Sequence, residues 1–113
     1  MRAVLSAEAY AYAFIELEPT LPAKHRALLL AHYAAPGRTL TAAELAERVG
    51  YAGYSSVNLQ YGGLAKRVCG LLGHSPEFYV LILVTFAAGG TSGHLNWTMR
   101  PPVAEALERL RWV

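Results

Sequence analysis

The chain has 113 residues, enough for one domain, and its 54% hydrophobic and 16% charged content is that of a globular protein and excludes a disordered chain. Its single cysteine, Cys69, excludes an internal disulfide and a cysteine-rich zinc site, and suits the reducing cytoplasm. The net charge of +2 does not by itself indicate nucleic acid, although residues 55–73 hold Lys66 and Arg67 and no acid. The sequence has no signal peptide and no run of the roughly 18 apolar residues that a membrane span needs.

The first third of the chain predicts two helices. Ser6 is positioned to cap a first helix that runs to about Leu17. A second helix runs from about Pro22 to Ala34, with proline at its start, where the missing N–H does no harm. Residues 1–35 are therefore assigned to two N-terminal helices.

A short third helix has the clearest local signals. Thr41 and Glu44 match the capping box, in which each side chain satisfies a free N–H at the helix start. Gly50 stands where a left-handed C-terminal cap is expected. The third helix is therefore predicted to be about two turns long.

A longer fourth helix follows after a glycine-containing turn. Ser55 or Ser56 is in position to cap it, and it runs to about Leu72. A short helix, a turn and a longer helix over residues 41–72 predict a helix-turn-helix unit.

The period of the sequence changes after this unit, over residues 77–100. "EFYVLILVTF" reads as a strand, "GGTSG" as a hairpin loop, and "HLNWTMR" as a returning strand with Leu95, Trp97 and Met99 on one face. Residues 101–113 begin with two prolines and predict a last helix.

The order of these elements predicts the fold class. A hairpin directly after a helix-turn-helix unit is typical of a wing. Residues 1–113 are therefore predicted to form a single, mainly α domain with a small β-hairpin, a winged helix-turn-helix. A small α+β domain whose hairpin has no wing function is the alternative.

The fourth helix contains two adjacent glycines, each costing roughly 1 kcal/mol relative to alanine. At 100° per residue, Val57, Tyr61, Leu64 and Val68 form the stripe that faces the core. The opposite side carries Ser55, Leu59, Gly62, Gly63 and Lys66, flanked by Ser56, Asn58 and Arg67. Outward glycines let the helix axis lie nearer a neighbouring surface, and a DNA major groove is such a surface.

The residues around the glycines suit DNA. Asn58 and Gln60 are amides that can pair with adenine, and Leu59 can contact the methyl of thymine or 5-methylcytosine. Ser55 and Ser56 can reach phosphates or bases near the helix start, and Lys66 and Arg67 lie where phosphates pass.

Secondary contacts follow from the geometry of the motif. Arg38, Thr39 and Thr41 precede the helix that crosses the DNA backbone, and the hydroxyl of Tyr54 can bond a phosphate. Thr91, Ser92 and His94 touch DNA only if the hairpin is a true wing. Two alternatives stay open: the glycines pack against another helix of the same protein, and Leu59 is an ordinary exposed apolar residue.

No convergent catalytic site is visible. The four histidines, at positions 25, 32, 74 and 94, lack zinc spacing, and "GYAGYSS" lacks the lysine of a P-loop. We expect no catalytic residue, metal, cofactor, small-molecule substrate or membrane partner, and no enzyme activity.

The segments "VGYAGYSSVNLQYGGLAK" and "MRPPVAEALERLRWV" carry a resemblance to a known family. The chain from about Leu21 to Val113 resembles small helix-turn-helix-like DNA-reading domains placed ahead of HNH nuclease modules in modification-dependent restriction endonucleases. The resemblance implies binding of double-stranded DNA that carries modified cytosine, such as 5-methylcytosine. The sequence contains no nuclease motif, so cleavage is not implied for this chain.

Two other functions are compatible with the same sequence. A winged-helix adaptor or inhibitor would dock a partner protein on the glycine face, with Leu59 as an anchor. A transcriptional repressor would need a homodimer to read a palindrome, and the final helix with Trp112 is a candidate for the dimer contact.

Overall fold

A computed structural model describes residues 5–113 of the chain. Most of this part is helical, and a small antiparallel sheet completes it. The helices are α1 (Ala7–Leu17), α2 (Ala23–Ala34), α3 (Ala42–Val49), α4 (Tyr54–Leu72) and α5 (Pro101–Arg109). The strands are β1 (Thr39–Thr41), β2 (Val84–Ala87) and β3 (Asn96–Met99).

The sheet has β3 in its centre, with β1 and β2 paired antiparallel on either side. Trp97 of β3 lies opposite Leu40 of β1 and Phe86 of β2, which places three large apolar side chains on the face that meets the helices. The hairpin formed by β2 and β3 agrees with the sequence, whereas β1 was not predicted. A mainly helical domain with a small three-stranded sheet is compatible with a winged-helix-like fold.

Local capping signals define most helix boundaries as predicted. The Ser6 hydroxyl accepts the Ala9 N–H at 3.2 Å. Both bonds of the capping box are present, from Glu44 N–H to Thr41 Oγ1 at 3.1 Å and from Thr41 N–H to Glu44 Oε1 at 2.8 Å. Gly50 ends α3 with a φ of 79° in the left-handed region, as predicted.

The predicted cap of α4 is wrong. The helix begins at Tyr54, and its N-cap is Gly53, which supplies no side-chain acceptor. Ser55 and Ser56 lie inside the first turn, so neither hydroxyl is placed to cap it.

The strand predicted from "EFYVLILVTF" is also largely wrong. Only its last part enters β2, whereas Tyr79–Ile82 forms a 3₁₀ turn. Distant side chains hold the carbonyls of this turn. Arg100 Nε donates to the Leu81 carbonyl at 2.7 Å, and the Tyr10 hydroxyl donates to the Ile82 carbonyl at 2.5 Å.

The returning strand is shorter than predicted. It begins at Asn96, so Leu95 lies before it and is 47% exposed, whereas Trp97 and Met99 are buried. The predicted shared face therefore holds for two of its three residues.

The core forms where α4 crosses the other helices and the sheet. Its predicted stripe of Val57, Tyr61, Leu64 and Val68 is fully buried. No helix within residues 5–113 is long and apolar enough to span a membrane.

A buried histidine links three elements of this core. His32 of α2 is inaccessible to solvent. Its Nδ1 lies 2.9 Å from the Tyr61 hydroxyl of α4, and its Nε2 lies 2.9 Å from the Trp97 carbonyl of β3. Burial raises the pKa of Tyr61, so the phenol keeps its proton and donates it to Nδ1, while Nε2–H donates to the carbonyl. A neutral imidazole thus fits this site.

We expect the stability of the protein to fall in mild acid because of this histidine. Burial lowers the pKa of His32 below its ordinary value of 6.5. The unfolded chain therefore binds a proton that the folded chain excludes. The contribution is complete above pH 6.5 and is lost as the pH falls towards the folded pKa, by up to about 1.4 kcal/mol per pH unit.

Urea denaturation between pH 7.5 and 5.5 measures this effect. A His32→Asn variant, which cannot titrate there, should show a flatter profile from a lower starting stability. Equal slopes for the two proteins would contradict the assignment.

Candidate nucleic-acid interface

The side of α4 that turns away from the core is open to solvent. We call Ser55, Asn58, Leu59, Gly62, Gly63 and Lys66 the α4 outer face. Leu59 is 71% exposed, and Ser55, Asn58 and Lys66 are also exposed. No acid occurs anywhere in α4, so a negatively charged partner meets no opposing charge on this helix.

The two glycines on the α4 outer face have free space above them. A Cβ built on Gly62 or Gly63 meets no atom of the described residues within 4 Å. The same is true of Gly70, which lies further along the helix. Close packing against another helix of this chain, one of the two open explanations, is therefore excluded for residues 5–113. The helical cost of these glycines has no visible return inside the protein.

Lys66 supplies the positive charge of the α4 outer face. Its Nζ lies 5.8 Å from the centre of the Tyr79 ring, and among the described residues no carboxylate lies within 4.0 Å of it. Phe78 and Tyr79 are exposed beside it, on the 3₁₀ turn that packs against α4. Lys66 is therefore available to an external anion.

The start of α4 meets the hairpin loop. The Tyr54 ring is half-exposed and its centre lies 5.1 Å from that of His94. Because Gly53 provides no side-chain cap, the first N–H groups of α4 remain free for an acceptor from outside. Tyr54, predicted to lie in the turn, is thus the first residue of the helix.

The hairpin loop is fixed to the start of α3 through Gly90. A Cβ at this position would lie 2.3 Å from the His94 carbonyl oxygen and 2.7 Å from Thr41 Cγ2, so only glycine fits. The tip residues Thr91 and Ser92 are exposed. No Lys, Arg, Asp or Glu occurs between residues 78 and 99. The hairpin therefore presents a rigid but uncharged loop beside α4.

Two residues predicted to contact DNA are engaged inside the protein. The Gln60 Oε1 atom lies 2.9 Å from His25 Nε2, so its carbonyl is occupied and bidentate pairing with adenine is not available. Arg67 donates to the Thr20 carbonyl at 3.2 Å and to the Thr20 hydroxyl. Both side chains fasten α4 to the start of α2, which residue spacing alone did not indicate.

Three other predicted contacts lie away from the α4 outer face. Thr41 is 1% exposed and acts as the α3 cap. Thr39 bonds Thr98 Oγ1 at 2.8 Å, at the end of β3 remote from the hairpin loop. Arg38 lies next to it, 3.9 Å from Glu108. The structure thus does not bring these three residues to the same surface as Asn58 and Leu59.

No protein-family model, curated protein or solved structure matches this chain. Within residues 5–113, no group of three His, Cys, Asp or Glu side chains is arranged to hold a metal ion. The α4 outer face is the surface from which a function is inferred.

Proposed function

We propose that this protein is a double-stranded DNA-binding module of the winged helix-turn-helix class, with the α4 outer face in the major groove. The observation that carries the proposal is the pair of unobstructed glycines in the middle of that face. A helix axis can approach the base edges closely only where side-chain bulk is missing.

The order of the elements supports this class. Helix α2 precedes β1, α3 and α4 form the helix-turn-helix, and β2 and β3 form the wing. The hairpin loop lies beside the start of α4 through Tyr54 and His94. The wing and the reading helix therefore share one side of the molecule.

Each group of the α4 outer face has a role in this proposal. The free N–H groups at the start of α4 bind a phosphate, and Lys66 binds another further along. Asn58 reads a base edge through its amide, and its exposed side chain has no competing bond within the described residues. Leu59 supplies an apolar contact at the centre.

We further propose that the DNA carries 5-methylcytosine and that the module serves as the reader of a cytoplasmic restriction system. Leu59 projects beside Gly62 and Gly63, so a methyl group at the base edge finds both an apolar contact and free space. Contact with one buried methyl is worth about 0.8 kcal/mol, which corresponds to a preference of about fourfold.

A binding titration with matched duplexes tests both parts of the proposal. Fluorescence anisotropy is measured with methylated and unmethylated DNA of the same sequence, over a series of salt concentrations. Binding should weaken as salt rises and should favour the methylated duplex. Absent or salt-insensitive binding would contradict the DNA function, whereas equal affinities would remove only the methyl preference.

Two substitutions should separate phosphate contact from base reading. Lys66→Ala is expected to weaken binding of all sequences alike, by about three- to tenfold. Asn58→Ala is expected to weaken binding to the preferred site by about tenfold and to relax base choice. Arg109→Ala, which removes an equal charge from α5, is the control and should leave DNA binding unchanged. Loss of affinity in the control would point to a general charge effect instead.

A protein-docking module is the second candidate. The exposed Leu59, Phe78 and Tyr79 favour it, because large apolar side chains of this kind serve as anchors at protein interfaces. A stable protein complex together with no binding to any duplex would select this function.

The dimeric repressor is less well supported. Trp112 stacks on Phe14 at 5.7 Å between ring centres, and the Arg26 guanidinium lies 4.1 Å from the Trp112 ring centre. The side chain proposed for the dimer contact is thus used within the chain. Light scattering of the free protein tests this variant.

A further inference from the structure

A second concave site lies at the far end of α4 from Tyr54. It is a cleft of about 940 Å³ between the end of α4 and the start of α5. This volume falls within the range of small-molecule sites, about 300–1,000 Å³. Leu5, Pro76, Leu81 and Ile82 give it apolar walls. The cleft is thus large enough and apolar enough to hold an organic molecule.

Arg100 places a positive charge on the wall of this cleft. Its Nε donates to the Leu81 carbonyl at 2.7 Å, which fixes the plane of the guanidinium. Among the described residues, no acceptor engages its Nη atoms and no carboxylate lies within 4.0 Å. A structural role in the 3₁₀ turn needs only Nε, so the two Nη groups remain for a ligand.

Neighbouring groups indicate the sign of that ligand. Burial raises the pKa of the Tyr10 phenol, and the charge of Arg100 opposes this rise, so the guanidinium charge reaches the cleft. Helix α5 begins on the same wall at Pro101, with the positive end of its dipole. His74 and Ser75 add polar groups. Glu77 also lines the cleft and would disfavour a second negative charge.

We propose that this cleft binds a small organic monocarboxylate, with its carboxylate on the two Nη groups of Arg100 and its apolar body against Leu5, Leu81 and Ile82. An arginine fork matches the two oxygens of a carboxylate. This site is separate from the α4 outer face, and its occupancy does not depend on DNA binding.

The test is an NMR titration of the ¹⁵N-labelled protein with 4-phenylbutanoate and with its neutral amide, in the absence of DNA. The acid should shift the amide signals of residues 73–82 and 100 saturably and bind at least about tenfold more tightly than the amide. Arg100→Gln should remove this difference. Glu77→Gln should tighten binding of the acid about two- to threefold by removing a like charge. Arg109→Gln is the control and should change neither value.

Three results would overturn the proposal: no saturable shifts, equal affinity for the acid and the amide, or full affinity in a folded Arg100→Gln protein. Because Arg100 also supports the 3₁₀ turn, that variant is checked by circular dichroism. If it does not fold, the exposed Glu77→Gln variant decides, and unchanged affinity for the acid contradicts the proposal.

Discussion

Replacing both Gly62 and Gly63 by alanine is expected to make the free protein more stable and DNA binding weaker. Each alanine removes the conformational cost of a helical glycine, and its Cβ meets no atom of residues 5–113. The free energy of unfolding should therefore rise by about 1–2 kcal/mol in total. The same two methyl groups enlarge the α4 outer face where it approaches the bases. We expect the affinity for DNA to fall at least about tenfold, a loss of about 1.4 kcal/mol.

Gly70→Ala provides a matched control for this trade-off. Gly70 is equally unobstructed but lies two turns beyond Gly62 on the same helix. This variant should gain about 0.5–1 kcal/mol of stability with DNA binding unchanged. Urea denaturation and anisotropy titrations measure the two quantities. Unaltered DNA affinity in the double variant would mean that the glycines have no part in binding.

His32→Ala is expected to cause a large loss of stability. The substitution leaves the Tyr61 hydroxyl and the Trp97 carbonyl without their partner in a fully buried site, and it creates a cavity. The expected cost is about 3–5 kcal/mol, which would lower the Tm by about 15–25 °C in a domain of this size. Trp fluorescence during thermal unfolding measures the change.

Tyr61→Phe removes one hydrogen bond and keeps the ring in place. It should cost about 1–2 kcal/mol, clearly less than His32→Ala. If the two variants lost equal stability, the Trp97 bond and the cavity would have no weight, and the three-element link would be misassigned.

Local signals in the sequence were sufficient for the helices. The capping box of Thr41 and Glu44 and the glycine at position 50 act within a few residues, so both were identified correctly. The core stripe of α4 also follows directly from helical periodicity.

The errors arose where distant residues decide the structure. Strand β1 has three residues and exists because it pairs with β3, about 60 residues further along. The run "FYVLI" has high strand propensity, yet Tyr10 and Arg100 hold its carbonyls in a 3₁₀ turn. Neither partner is visible from the run itself.

The same limit applies to the candidate site. Periodicity placed Asn58, Leu59 and Lys66 correctly on an open face. It does not show that Gln60 is bonded to His25 or that Arg67 is bonded to Thr20. Exposure has a period along a helix, whereas the choice of a hydrogen-bond partner depends on which other element lies beside it.

The uncharged hairpin has a consequence for how such a protein would search a genome. Random DNA holds a protein almost entirely through its phosphates, and the loop between β2 and β3 has no lysine or arginine to engage them. Dwell times on unmarked sequence should therefore be short, with little sliding from site to site. Occupancy would then follow the number of correctly marked sites more than the total length of DNA in the cell.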